Sequence, residues 1–205
     1  MKQSKKTLYM TELAFLIAIE IIMKLTGLSS IPVGPLVMTF NMIPIAIGAI
    51  LMGPLAGGVL GMVYGFTSFY DAITGASVMT GIFFNISPVH TFILCVVTRT
   101  LVGVLAGFIF KGLKKIDKTH TISYFLTGLM TPLMNTALFM GYIIVVFYQI
   151  DFIQEKVVAL GAANPFMYVI LSVGVQGLVE AVTGLVIAGG VAKGVDAAIN
   201  RTGRK

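Results

Sequence analysis

The segment Pro88–Lys111, PVHTFILCVVTRTLVGVLAGFIFK, is apolar almost throughout and carries Arg99 near its middle. At ~1.5 Å per residue the arginine lies roughly 16 Å along a helix from Pro88, about half the hydrocarbon thickness of a bilayer. A guanidinium at that depth costs several kcal/mol unless protein, water or ligand surrounds it. Other helices must therefore wrap it. Two kinds of partner meet the demand: a carboxylate, Glu180 or Glu20, in a structural ion pair, or a small organic acid held in a pocket. The residues alone leave both open.

The chain can supply that wrapping. It has 205 residues, 57% hydrophobic and 11% charged, with a mean hydropathy of +0.98. Soluble domains carry about a quarter charged residues, so the composition indicates an integral membrane protein. The apolar runs are continuous rather than alternating, which favours helices over a barrel. The expected fold is all-α, a single membrane domain of six spans at about 7–25, 41–52, 54–71, 88–111, 121–149 and 166–192. Glu12, Glu20 and Lys24 interrupt the first run, so a cleavable signal is not expected there.

The net charge of +6 is a topology signal. Eleven of the fourteen basic residues fall at the N-terminus (Lys2, Lys5, Lys6), in one loop (Lys111, Lys114, Lys115, Lys118) and at the C-terminus (Lys193, Arg201, Arg204, Lys205). An even number of spans puts all three on one side, so both termini are expected to be cytoplasmic. That distribution is not a nucleic-acid surface. Cys95 stands alone in an apolar helix, which excludes a disulfide and gives it a packing role.

Span 1 places Ala14 and Ala18 on one face, where small residues let another helix approach. The face serves either internal packing or a partner. The outer connection 26–40 contains Gly27, Pro32, Gly34 and Pro35, with Ile31, Val33, Leu36 and Val37 among them. It reads as a lid over an outward cavity or as a passive interfacial loop. Span 3 carries Gly53, Gly57, Gly61 and Gly65 at four-residue spacing, a signal for close helix packing. Tyr64, Tyr70 and Asp71 are candidates for a cavity mouth or an aromatic belt. Asn85, Ser87 and His90 gather polar groups where span 4 begins, and a helix N-terminus there favours negative charge. Pro132 and Asn135 in span 5 suggest a substrate contact or packing on the glycines. Gln176 and Glu180, four apart in span 6, are expected to face the interior and to meet Arg99 or a ligand.

Enzyme chemistry is not expected. There is no HExxH, no cysteine–histidine cluster and no P-loop. His90 and His120 fall near opposite faces, which disfavours a metal site. Asp71 has no paired transmembrane aspartate for proteolysis. Energy coupling must come from a partner or an ion gradient, and no inverted repeat is visible to support a carrier working alone.

The run NMIPIAIGAILMGPLAGGVLGMVYGFTSFYDAITG followed by SPVHTFILCVVTRTLVGVLAGFIFKGLKK resembles the substrate-binding S components of energy-coupling factor vitamin transporters. Within that family it looks most like the pantothenate-specific branch. Thr98 departs from the proline expected before the arginine, which bears on local helix geometry. The resemblance implies six helices around an outward vitamin pocket and a cell-membrane location. It implies a transmembrane coupling subunit docked on Ala14 and Ala18, and two cytoplasmic ATPases that use ATP and magnesium. No cofactor is expected in this chain. Arg99 would meet the pantothenate carboxylate, with Asn85, Asn135 and Gln176 on its hydroxyl and amide groups and His90 and Glu180 as further contacts. The alternatives are another vitamin (riboflavin, folate or cobalamin), a structural membrane subunit without a ligand, or a standalone ion-coupled carrier.

Overall fold

The computed structural model describes residues 5–33, 36–119 and 121–201. Lys2, Gly34, Pro35, His120, Arg204 and Lys205 lie outside them. Among the described residues eight helices form one bundle. α1 is Lys5–Leu25, α2 Met42–Met52, α3 Pro54–Thr74 and α4 Val78–Ile86. α5 is Pro88–Ile116, and α6 is Ile122–Phe147. α7 is Asp151–Ala159. α8 starts as Pro165–Thr183, passes through a π turn at Gly184–Ala188 and continues as Gly189–Arg201. Three of these, α5, α6 and α8, are long and apolar enough to cross a membrane.

The connections between the long helices hold more structure than their composition suggests. β1 (Ser30–Val33) and β2 (Leu36–Thr39) pair antiparallel, with Ser30 opposite Thr39. This hairpin occupies the connection that the sequence marks by its turn formers, with apolar residues among them. Pro32 is compatible with it because a two-stranded ribbon is all edge. α4 and α7 likewise occupy stretches expected to be loops.

The tightest interface joins α3 to α5, and glycine creates it. A Cβ on Gly57 would lie 2.3 Å from the Gly103 carbonyl oxygen, and one on Gly61 2.2 Å from that of Arg99. Gly65 presses the same way on Val96, where a Cβ would lie 2.7 Å from Cα. Gly53 meets α5 from the turn that precedes α3, where a Cβ on Gly107 would lie 3.0 Å from its carbonyl carbon. With φ of 95° it makes the turn between α2 and α3, a conformation that favours glycine. A second seam joins α6 to α8, where a Cβ on Gly128 would meet the Gly184 carbonyl oxygen at 2.4 Å.

Two apolar clusters fill the bundle. Leu16, Ile45, Leu60, Val102, Phe110 and Tyr124 belong to one. Phe83, Leu94, Ile143, Phe147, Ile153 and Tyr168 belong to the other, where the Phe83 and Phe147 rings stack at 4.3 Å. α1 contributes Leu16 and Glu20 to the interior, whereas Ala14 and Ala18 face outward. Glu20 is 3% exposed, and among the described residues no donor reaches either oxygen. The partner expected for it is thus not present in the fold. Lys24 of α1 instead bridges Asp71 of α3, which takes Asp71 out of any cavity mouth.

Asp117, between α5 and α6, organises the start of α6. Its Oδ2 accepts from the backbone N–H of Thr121 (3.0 Å) and Ser123 (2.8 Å). Its Oδ1 accepts from the N–H (3.0 Å) and hydroxyl (2.7 Å) of Thr119. The Ser123 N–H first, then the Thr119 hydroxyl, hold this carboxyl well below the usual carboxylate range. They do so because they stabilise the ionised form.

Two predictions follow from this packing. Gly61→Val should lower stability by about 3 kcal/mol, or about 6–12 °C in Tm for a chain this size. Gly112→Ala should be tolerated, since nothing lies within 4 Å of a Cβ there; thermal unfolding in detergent checks both. The lowered Asp117 pKa gives stability that is fully present above the unfolded carboxylate value of ~3.9 and is lost as pH falls through the lower folded value. The Tm gap between wild type and Asp117→Asn should therefore be widest near neutrality and narrow progressively below about pH 4.

Candidate functional site

A cavity of about 200 Å³ lies between the hairpin, α3, α4, α5, α6 and α8. Four of the side chains proposed from sequence line it: Arg99, Asn135, Gln176 and Glu180. They converge because each helix presents a stripe at helical spacing. Asn135, Thr136, Phe139 and Met140 come from α6, and Val173, Gln176, Gly177 and Glu180 from α8.

Arg99 is 6% exposed and has no carboxylate partner among the described residues. Two aromatic rings replace the expected ion pair. The guanidinium carbon lies 4.6 Å from the Tyr64 ring centroid and 4.8 Å from that of Phe139. Such contacts contribute about 0.5–2 kcal/mol each, comparable in sum to the ~2.5–3.5 kcal/mol insertion cost of a central arginine. Its own helix adds acceptors. α5 forms a π turn at Ile93–Val97, in which the Thr98 N–H bonds to the Ile93 carbonyl. Arg99 donates to the carbonyls of Cys95 at 3.1 Å and Leu94 at 3.4 Å, and the Thr98 hydroxyl donates to Leu94 as well. The geometry questioned at Thr98 is thus a π turn, a distortion frequent at functional sites.

Glu180 is 5% exposed. Its Oε1 accepts from the Thr39 N–H at 2.9 Å, the Thr39 hydroxyl at 2.7 Å and the Gln176 amide at 3.0 Å. The i, i+4 spacing of Gln176 and Glu180 makes the last bond possible. Thr39 closes β2, so this carboxylate ties the hairpin to α8. Two polar atoms in the wall are buried and unpartnered, Arg99 Nε and Asn135 Oδ1. A site with a cation, a carboxylate, two amides and two unfilled hydrogen-bonding atoms can hold a small molecule that has one anionic end and hydroxyl or amide groups.

The other candidates fall elsewhere. Asn85 is exposed at the end of α4. It does not line the cavity. The His90 ring pairs through Nδ1 with the Tyr142 hydroxyl at 2.8 Å, also outside the cavity. Its position nine residues from Arg99 turns it to another face of α5. Of the candidate mouth residues, Tyr64 is inside the cavity and Tyr70 is exposed.

Sequence reasoning missed Thr39, Phe139, Met79 and Thr136. Phe139 follows Asn135 by one turn, a spacing that could have flagged it. Thr39 had no such signal, because its place depends on the hairpin. Among the described residues no group of three His, Cys, Asp or Glu side chains could hold a metal.

Residues 8–191 match the family described as ECF transporter, substrate-specific component, and the chain belongs to that family. It is accordingly a substrate-specific subunit of an energy-coupling factor transporter, a binding subunit with a helical membrane fold. No curated protein matches the chain.

Proposed function

We propose that this subunit captures pantothenate at the external face, in the cavity around Arg99, and delivers it inward. The observation that carries the reading is a buried guanidinium with no carboxylate bridge, opening on a cavity with unfilled polar atoms. Arg99 would take the vitamin's carboxylate in a charge-assisted contact. Asn135, Gln176 and Glu180 would address its hydroxyl and amide groups. A volume of about 200 Å³ falls below the ~300–1,000 Å³ of sites for drug-sized ligands. That supports a short acid over riboflavin, folate or cobalamin.

In this reading six spans place both termini in the cytoplasm, and eleven of the fourteen basic residues support that orientation through their clustering. Transport then needs a transmembrane coupling subunit and two cytoplasmic ATPases. The coupling subunit would dock on the outward face of α1. Ala14 and Ala18 are exposed there, beside the exposed Phe15 and Ile22, so the small residues are free to admit a foreign helix.

Calorimetric titration of the detergent-purified subunit with pantothenate and with pantothenol, its neutral alcohol analogue, tests the site. Arg99→Ala should weaken pantothenate about 10–150-fold, the range of a hydrogen bond to a charged group, and change pantothenol little. Unchanged pantothenate affinity in a folded Arg99→Ala subunit would overturn the assignment. For docking, Ala14→Trp or Ala18→Trp should block assembly with the coupling subunit and uptake in vesicles. Vitamin affinity of the isolated variants should stay within about twofold. Loss of that affinity would assign the alanines to the bundle instead.

A further inference from the structure

The lysine-bearing end of the bundle holds a second, larger recess of about 720 Å³, framed by the end of α2, the turn into α3 and the last turns of α5. Its floor is apolar, with Leu51, Met52 and Phe108, and Lys111, Lys114 and Lys115 stand around it. All three ammonium-bearing residues are exposed.

The backbone builds this arrangement. Gly107 lets the α2–α3 turn lie directly on α5, since a Cβ there would be 2.5 Å from Pro54 Cα. Lys111 follows one turn later, with its Cε 3.8 Å from where a Gly53 Cβ would be. α3 starts at this same turn without a side-chain cap. The partial positive charge of its first N–H groups therefore adds to the lysines.

Among the described residues no carboxylate offsets this charge, although Lys114 Nζ lies 5.4 Å from the Phe110 ring centroid. The closest acid along the chain, Asp117, accepts from Thr119, Thr121 and Ser123 of its own loop. Among the described residues, no ion pair involves Lys111, Lys114 or Lys115. Around the recess the surface is apolar, with Phe108 58% and Ile116 75% exposed. Three uncompensated cations above an apolar floor suit a ligand that is anionic at one end and hydrocarbon at the other.

We propose that this recess is a binding site for an anionic phospholipid, with the lysines on the headgroup phosphate and Leu51 and Phe108 against the first acyl carbons. Basic pockets between membrane helices bind acidic lipid headgroups in this way. A free phosphate shares the headgroup chemistry but gains nothing from the floor. An acidic segment of a partner protein would use the charge but has no need of the hydrocarbon.

Native mass spectrometry of the detergent-purified full chain tests the site. The lipids are phosphatidylglycerol and phosphatidylcholine with matched acyl chains, and glycerol 3-phosphate is the soluble competitor. Phosphatidylglycerol should bind at least about tenfold tighter than phosphatidylcholine and resist equimolar glycerol 3-phosphate. Each of Lys111→Ala, Lys114→Ala and Lys115→Ala should weaken phosphatidylglycerol by about fivefold, and Lys6→Ala should not. Gly112→Trp, at a recess position with no atom within 4 Å of a Cβ, should weaken it with all three lysines present. Equal binding of the two lipids by the wild-type chain would overturn the proposal without recourse to any variant. Displacement by glycerol 3-phosphate would assign the site to a soluble anion. An undiminished lipid preference in the triple alanine variant would place it elsewhere.

Discussion

Backbone contact between α3 and α5 is the constraint on which the candidate site rests. Gly61 lies against the carbonyl of Arg99 itself, and Gly57 against that of Gly103. At that separation Tyr64, one turn beyond Gly61, is carried onto the guanidinium. The aromatic face is therefore positioned by main chain rather than by side-chain fit. Any side chain in the seam would push the helices apart, and the ring would leave the cation first, because cation–π attraction falls off beyond about 6 Å.

Arg99 is held in a way that differs from an ion pair in its consequence. A carboxylate bridge would neutralise the charge and fill the space beside it. Rings and carbonyls stabilise the cation while leaving its net charge intact. The π turn contributes by bringing two main-chain oxygens within reach of the same side chain. The carboxylate that shares the cavity, Glu180, is engaged with Thr39 and Gln176. The wall thus presents a guanidinium and a carboxyl that do not pair with each other, an arrangement in keeping with the proposed acid.

Much of this was legible in the chain, for a physical reason. Arg99, Asn135, Gln176 and Glu180 are polar groups in apolar helices, and hydrocarbon leaves such groups few places to go but inward. The glycines at 57, 61 and 65 announced the seam by their spacing. The limits are equally specific. Tyr64, a candidate for the cavity mouth, and Phe139 give no sign in the chain of facing a cation until their distances to Arg99 are known. Gly128 and Gly184 lie on separate helices, so no local spacing reveals that they meet. Asn85 and His90 do not line the cavity, since polar residues at a helix start serve local contacts as readily as a ligand. The hairpin was hidden because Pro32 and the neighbouring glycines signal turns, whereas its pairing depends on strands from both sides of the turn. Of the two partners the residues left open for Arg99, the ion pair is not formed among the described residues, because aromatic faces offer an alternative that charge counting does not register.

The cavity wall draws on both glycine seams, with Tyr64 and Arg99 from one and Asn135 and Gln176 from the other. Each seam joins main chain to main chain, so neither can loosen by a change of rotamer. The two pairs also pack on each other directly, with Phe110 of α5 edge-on to Tyr124 of α6 at 5.0 Å. At the cavity they are joined by Phe139 against Arg99 and by the hairpin fastened at Glu180. A molecule entering that space would meet side chains carried on a frame of main-chain contacts.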